Sequence, residues 1–136
     1  MTRLTWEQYA LAIAEAAKLR SEDPYMQVGA CALRHDHTVA ATGYNGALSG
    51  VKIDWSDRDK RRAHVIHAER NCLNYVRPGE CELLVCTLLP CPECLTEIAL
   101  KRIPRVMYKD EYSTDPAMAV KSYSKAEQAG IVLKQF

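Results

Sequence analysis

Residues 83–94 read Leu83-Leu84-Val85-Cys86-Thr87-Leu88-Leu89-Pro90-Cys91-Pro92-Glu93-Cys94, and this stretch decides the fold. Its first half, about Leu83 to Leu88, is an apolar run that predicts a strand. The Pro90-Cys91-Pro92 corner ends that run and opens a helix. Working outward, a strand is expected near Arg105 to Tyr108, a helix from about Asp115 to Gln128, and a last strand over Ile131 to Lys134. Upstream, a helix is expected to begin around His67. Two short strands, Val28 to Leu33 and about Thr38 to Thr42, are joined by a polar turn at Arg34 to His37. Strands alternating with helices indicate an α/β domain, with the hairpin adding an antiparallel pair. The expected architecture is a three-layer α/β/α sandwich around a mixed sheet of about five strands, formed by a single domain over residues 1–136.

The first helix is signalled by a possible capping box, Thr5 with Gln8, and by Trp6, Tyr9, Ala10, Ile13 and Ala17 at helical spacing. It should stop near Asp23-Pro24, because a residue before proline avoids the helical region. Gly43-Tyr44-Asn45-Gly46 reads as a loop in which both glycines can take positive φ and approach a ligand closely. Ala47 to Ala63 is polar and charged with no clear period, and is expected to be an irregular insertion.

The chain has 136 residues with 48% hydrophobic and 26% charged, enough apolar material for a sizeable core, so disorder is excluded. Lys plus Arg is 18 and Asp plus Glu is 17, a net charge of +1. That balance argues against a dedicated nucleic-acid binder, which needs a basic excess to neutralise phosphates. No run approaches a membrane-spanning length, and charges from Arg3 to Arg20 interrupt any signal-peptide core, so no membrane partner and a cytoplasmic location are expected. In that setting six cysteines read as metal ligands plus buried thiols.

Two segments carry chemistry: His67-Ala68-Glu69 and Pro90-Cys91-Pro92-Glu93-Cys94. Cys91 and Cys94, three apart at a helix start, are neighbours on one face. With His67 they supply three ligands for a tetrahedral zinc and leave a fourth position for water, the catalytic arrangement. His67 and Glu69 point apart in mid-helix, so both can face one metal only if the helix meets it end-on at its first turn. Both ligand segments would then offer helix N-termini, which favour thiolates. Glu69, so close to the metal, becomes a proton shuttle. Taken alone, the Cys-x-x-Cys could be a redox pair. A structural zinc would call on Cys72 or Cys86 as a fourth ligand, but Cys86 falls in the strand pattern and Cys72 shares a helix with His67.

The pattern His-x-Glu followed by Pro-Cys-x-x-Cys is the known signature of zinc-dependent nucleobase deaminases. Within that superfamily the chain resembles the deoxycytidylate (dCMP) deaminase branch over nearly its whole length. The resemblance is carried by Arg20-Ser21-Glu22-Asp23-Pro24, Gln27-Val28-Gly29-Ala30-Cys31, Gly43-Tyr44-Asn45-Gly46, His67-Ala68-Glu69-Arg70-Asn71 and the cysteine motif, with Tyr112 and Ala129-Gly130-Ile131 in agreement. It implies one zinc on His67, Cys91 and Cys94, with Glu69 carrying a proton from a zinc-held water to the pyrimidine. Ammonia then leaves C4 of dCMP and dUMP remains, which supplies dTTP synthesis. It further implies a substrate site including Asn45 on the deoxyribose hydroxyl, Tyr112 closing over the nucleotide, and Ala68 and Gln27. A homohexamer, activation by dCTP and inhibition by dTTP, each with magnesium, belong to the same expectation. The effector site would involve Gly43, Tyr44, Gly46 and Lys52, although spacing alone reads the charged insertion as a solvated loop.

The chain departs from its relatives in two respects. No cysteine lies between Cys31 and Cys72, where some relatives bind a second zinc, so one zinc per chain is expected. Some relatives also place an Arg next to the position of Tyr25 or Ser113 to grip the monophosphate. Neither position is basic here, which leaves Ser21, Lys109 and Tyr112 as the phosphate candidates. Two other functions compete with this reading. A tRNA adenosine deaminase shares both motifs but needs a basic surface and an aromatic channel. A silent zinc module has no use for Glu69.

Overall fold

The computed structural model describes residues 2–111 and 115–136. In chain order the elements are α1 (Trp6–Lys18), β1 (Gly29–Arg34), β2 (Val39–Tyr44), α2 (Arg58–His64), α3 (Ala68–Leu73), β3 (Cys81–Leu88), α4 (Pro92–Leu100), β4 (Arg105–Asp110), α5 (Pro116–Ala129) and β5 (Val132–Gln135). The five strands form one mixed sheet in the order β2-β1-β3-β4-β5. β1 runs antiparallel to both β2 and β3, whereas β3, β4 and β5 are mutually parallel. The expected sandwich with about five strands is thus the observed architecture.

Period-two side-chain alternation divides the core between the two faces of the sheet. On one face Cys31, Leu33, Leu83 and Val85 pack against Ala10 and Ala14 of α1. On the other, Ala30, Ala32, Leu84, Cys86 and Val106 pack against Ala68 and Cys72 of α3, Leu95 and Ile98 of α4, and Ala126 of α5. Among the described residues no helix is long and apolar enough to cross a membrane.

Two local expectations change. The capping box of α1 is present, with the Gln8 amide donating to Thr5 Oγ1 at 3.1 Å and the Thr5 amide to Gln8 Oε1 at 2.9 Å. The helix nevertheless ends at Lys18, well before Pro24. Asp23 instead organises its own turn, its Oδ1 accepting the Tyr25 and Met26 amides. The large aromatics of α1 are not core: Trp6 and Tyr9 are exposed, and Trp6 stacks on the His37 ring at 4.7 Å. The insertion is not wholly irregular, because α2 lies within it. Asp57 caps that helix by accepting the Asp59 and Lys60 amides, and Arg61, Arg62 and His64 sit where cations suit its C-terminal dipole. α2 buries no residue, so it has no apolar period to read.

Candidate active site

The site lies at the carboxyl ends of β3 and β4, where α/β sheets open a crevice. After β3 the chain turns at Leu89, whose amide donates to Asp110 O at 2.8 Å, and Ser122 Oγ of α5 donates to Pro90 O at 2.8 Å. This pins the corner from which Cys91 caps α4, its Sγ accepting the Cys94 amide at 3.4 Å. His67 is the N-cap residue of α3, and its side chain makes no capping bond. It is therefore free to turn toward α4.

The two helix starts meet. His67 Nδ1 lies 3.2 Å from Cys94 Sγ and 3.6 Å from Cys91 Sγ, and the three ligand atoms all fall within 4.8 Å of one another. A tetrahedral zinc with ordinary Zn–N and Zn–S bonds places N and S about 3.6 Å apart, so the donor set and its spacing fit that ion. His67 offers Nδ1 to the site. Hydrogen bonding from Cys94 and from His67 draws the Cys91 thiol well below its usual range, and Cys94 correspondingly keeps its proton. The bond to Cys91, opposed by burial, raises His67 to about 8. The metal-free triangle therefore holds one thiolate, at Cys91, and a bound cation would displace the protons that Cys94 and His67 retain.

Glu69, the second helical residue of α3, is only 4% exposed. Burial pushes its carboxyl above the ordinary range, opposed by His67 and by its contact with Cys94. The expected end-on approach holds: α3 meets the site with its first turn, so His67 and Glu69 share one cavity. That cavity, of about 520 Å³, is also lined by Asp23, Tyr25, Asn45, Arg61, Ala68 and Cys91. Its size suits a small-molecule ligand.

The other sequence-selected residues fall in different places. Asn45 lines the cavity but is 6% exposed, and its side chain is engaged. Oδ1 accepts the Val28 amide at 2.8 Å, while Nδ2 donates to Met26 O at 2.8 Å and to Asp23 Oδ2 at 3.3 Å. One Oδ1 lone pair stays available for a ligand. Ser21, Gln27 and Lys109 do not line the cavity. Ser21 Oγ donates to Asn45 O and accepts the Asp23 amide, Gln27 Nε2 donates to Asp23 O, and Lys109 pairs with Glu15 at 3.0 Å. Tyr112 lies outside the described residues.

The expected ligand loop at 43–46 is largely strand. Gly43 and Tyr44 belong to β2, and neither Gly43 nor Gly46 has positive φ. Gly43 faces the backbone of α3 at Ala68 and Cys72 instead. Tyr44 O accepts Asn71 Nδ2 at 2.8 Å, and Gly46 pairs with Ile66 through bonds of 2.8 and 3.1 Å. Lys52 lies in the insertion without a helix or strand around it. Sequence reading missed Tyr25, Arg61 and Met118 as cavity residues. For Arg61 a usable signal existed: an Asp57 cap followed by basic residues six positions before His67.

Against known proteins, residues 4–110 match the family described as the cytidine and deoxycytidylate deaminase zinc-binding region. ComE operon protein 2 of Bacillus subtilis is 33% identical over 144 aligned positions, covering 99% of this chain and 73% of the relative. Human deoxycytidylate deaminase is 30% identical, covering 98% of this chain and 80% of its own length. The fold is shared with the dCMP deaminase of cyanophage S-TIM5 in complex with dCMP and dUMP, at a TM-score of 0.80, 23% identity and full coverage of both chains. With the paired helix starts, the buried glutamate and this match over most of its length, the chain belongs to the cytidine and deoxycytidylate deaminase family of zinc-binding proteins.

Proposed function

We propose that this protein hydrolyses dCMP to dUMP and ammonia. The observation that carries the reading is the buried Glu69 carboxyl in one cavity with His67 and Cys91, beside Cys94. Relatives named deoxycytidylate deaminase, at 30% to 36% identity, support the choice of substrate.

In this reading His67 Nδ1 and the sulfurs of Cys91 and Cys94 hold one zinc per chain. Bound there, zinc supplies Lewis acidity, which brings the ionisation of a coordinated water toward neutrality. Glu69 takes one proton as water adds to C4 of the cytosine ring and hands it to the ring nitrogen, then takes the second from the new C4 hydroxyl and hands it to the departing amine. Water enters, ammonia leaves, and the carboxylate ends as it began. Its raised pKa suits this exchange, because a proton carrier works best when its pKa approaches the working pH. Asn45 contacts the deoxyribose hydroxyl through its remaining lone pair. Ala68, at the cavity wall, packs on the base, and Tyr112 closes over the nucleotide.

The reading extends to regulation and assembly. A cytoplasmic homohexamer supplying dUMP for dTTP synthesis would be activated by dCTP and inhibited by dTTP, each with magnesium. Effectors would act near Gly43, Tyr44, Gly46 and Lys52. Opposite effects require only that the two nucleotides prefer different states of one equilibrium. The alternative of a tRNA adenosine deaminase is disfavoured by the net charge of +1.

The experiment follows ammonia release by zinc-loaded protein with dCMP, deoxycytidine, dCTP and an adenosine-containing RNA. dCMP is expected to be far the best. Equal kcat/KM for deoxycytidine, or turnover of the RNA alone, overturns the reading. Saturation curves with dCTP or dTTP should separate from the effector-free curve, and three superimposable curves remove the regulatory part. Light scattering tests the hexamer.

A further inference from the structure

We propose that Arg61, presented by α2 from within the insertion, binds the 5′-phosphate of the substrate and gives this cavity its preference for a nucleotide over a nucleoside. This rests on the deaminase reading above and deepens it.

A phosphate needs a cation with uncommitted donors. The two sequence candidates among the described residues do not provide one: Ser21 Oγ is engaged with Asn45 O and the Asp23 amide, and the Lys109 ammonium pairs with Glu15. The charged residues lining the cavity are Asp23, Arg61, Arg62, His67, Glu69 and Asp115. His67 and Glu69 belong to the metal end. Both aspartates are occupied by N–H donors. Asp23 accepts from the Tyr25 and Met26 amides and from Asn45 Nδ2, and Asp115 caps α5 through the Met118 amide. The cations left to face an anion are Arg61 and Arg62.

Of the two, Arg61 is preorganised. Its backbone is fixed in α2, with its amide donating to Asp57 O and its carbonyl accepting the Val65 amide, both at 2.9 Å. Its guanidinium lies 4.1 Å over the Tyr25 ring, and Nη1 donates to Trp55 O at 2.8 Å. Stacking uses the face of the guanidinium and leaves the in-plane N–H groups free. One of five is committed to Trp55, so enough remain for a two-pronged contact with phosphate. Arg61 is half-buried, which limits screening by water, whereas Arg62 is exposed and also borders a second cavity. The stacked pair also accounts for the tyrosine at position 25: its ring supports a guanidinium that arrives from α2.

The geometry relative to the metal is set by a short connection. From Arg61 the chain completes α2, passes Val65 and Ile66, and reaches His67. The Ile66–Gly46 bridge fixes that connection to the end of β2. A phosphate subsite and a metal subsite would thus occupy two ends of one braced segment.

The test uses the full zinc-loaded chain with Arg61→Gln, Arg61→Lys and, as a control for charge on the exposed side of the same helix, Lys60→Gln. Each is assayed for kcat/KM on dCMP and deoxycytidine, and for calorimetric affinity toward dUMP and deoxyuridine. Arg61→Gln should lower kcat/KM for dCMP by ~10–100-fold, the range for losing a hydrogen bond to a charged group, and leave deoxycytidine unchanged. Arg61→Lys should recover part of the loss, and Lys60→Gln should match the native protein. An equal fall on both substrates makes Arg61 merely structural and overturns the proposal, as does an unchanged rate on dCMP. If the native protein deaminates no cytosine substrate, the deaminase reading fails separately. The dUMP-to-deoxyuridine affinity ratio still decides the proposal in that case. A ratio near one, or one that Arg61→Gln does not reduce, overturns it.

Discussion

Asn45 Oδ1 accepts the Val28 amide at 2.8 Å, tying the segment after β2 to the residue just before β1. The same side chain donates to Met26 O and Asp23 Oδ2, so one amide braces the rim of the cavity. Asn45 is therefore both a wall of the site and a strut beneath it. Asn45→Ala should leave the Val28 amide and the Met26 carbonyl short of partners, at a cost of ~1–3 kcal/mol for each buried group left unsatisfied. Urea denaturation of zinc-loaded protein measures this. Native stability in the alanine variant would show that the rim does not depend on the amide.

Gly43 sits against α3 so closely that an added Cβ would collide with the Ala68 carbonyl and lie 2.5 Å from the Cys72 amide. Backbone cannot swing aside as a flexible side chain can. Gly43→Ala should destabilise by ~1–3 kcal/mol, as overpacking does, and should displace the helix that carries His67 and Glu69. Gly46→Ala is the contrast, because its Cβ would meet only the Tyr44 ring at 3.9 Å. Thermal melts of the two variants should differ clearly. Matching melts would mean that α3 tolerates the shift.

What could be read from the sequence was local. The ligand triad and Glu69 lie in two short segments, and the need for helix starts follows from a spacing of two residues in His-x-Glu. The sheet was legible because β3 is a nearly continuous apolar run and β4 carries Val106, Met107 and Tyr108 at its centre. α2 was not, since a helix that buries nothing leaves only capping and charge as its trace. Gly43 was misread for a different reason. Glycine signals either unusual φ or close approach, and only the position of α3 shows that approach is the cause here. The bracing role of Asn45 depends on partners 17 to 22 residues away, which no spacing rule reaches.

The six thiols should divide by reactivity. All six cysteines are free of disulfides. Burial raises Cys31 to about 12 and Cys81 to about 11, and pushes Cys72 and Cys86 higher still. Cys91 alone shifts downward, through hydrogen bonds from Cys94 and His67. Thiolate is the reactive form. Iodoacetamide at pH 8 should therefore label Cys91 first in zinc-depleted protein, and zinc should protect it; mass spectrometry of the labelled peptides reads the outcome. Early labelling of Cys31 or Cys86 would contradict the burial argument. The buried thiols also set a sign for alkaline stability. With folded pKa values raised above the ordinary 9, their contribution is complete below about pH 9 and is lost as pH climbs toward 11 to 12.

Glu69 gives the sharpest separation between binding metal and using it. Its carboxyl is buried beside the ligand triangle, yet His67, Cys91 and Cys94 complete a three-ligand set without it. Glu69→Gln preserves length and hydrogen-bonding capacity but cannot take up a proton at this position. Zinc content should remain at the native level, while turnover of dCMP falls by at least ~10²-fold, the lower range for general acid–base catalysis. Burial works in the same direction for stability. The carboxyl is desolvated and its pKa raised, so the neutral amide removes a strained charge and should not lower the melting temperature. Three measurements on one variant decide the matter: metal content, melting temperature and kcat. Loss of zinc together with activity would make Glu69 part of the metal site's support, and near-native kcat with full zinc would place the proton carrier elsewhere.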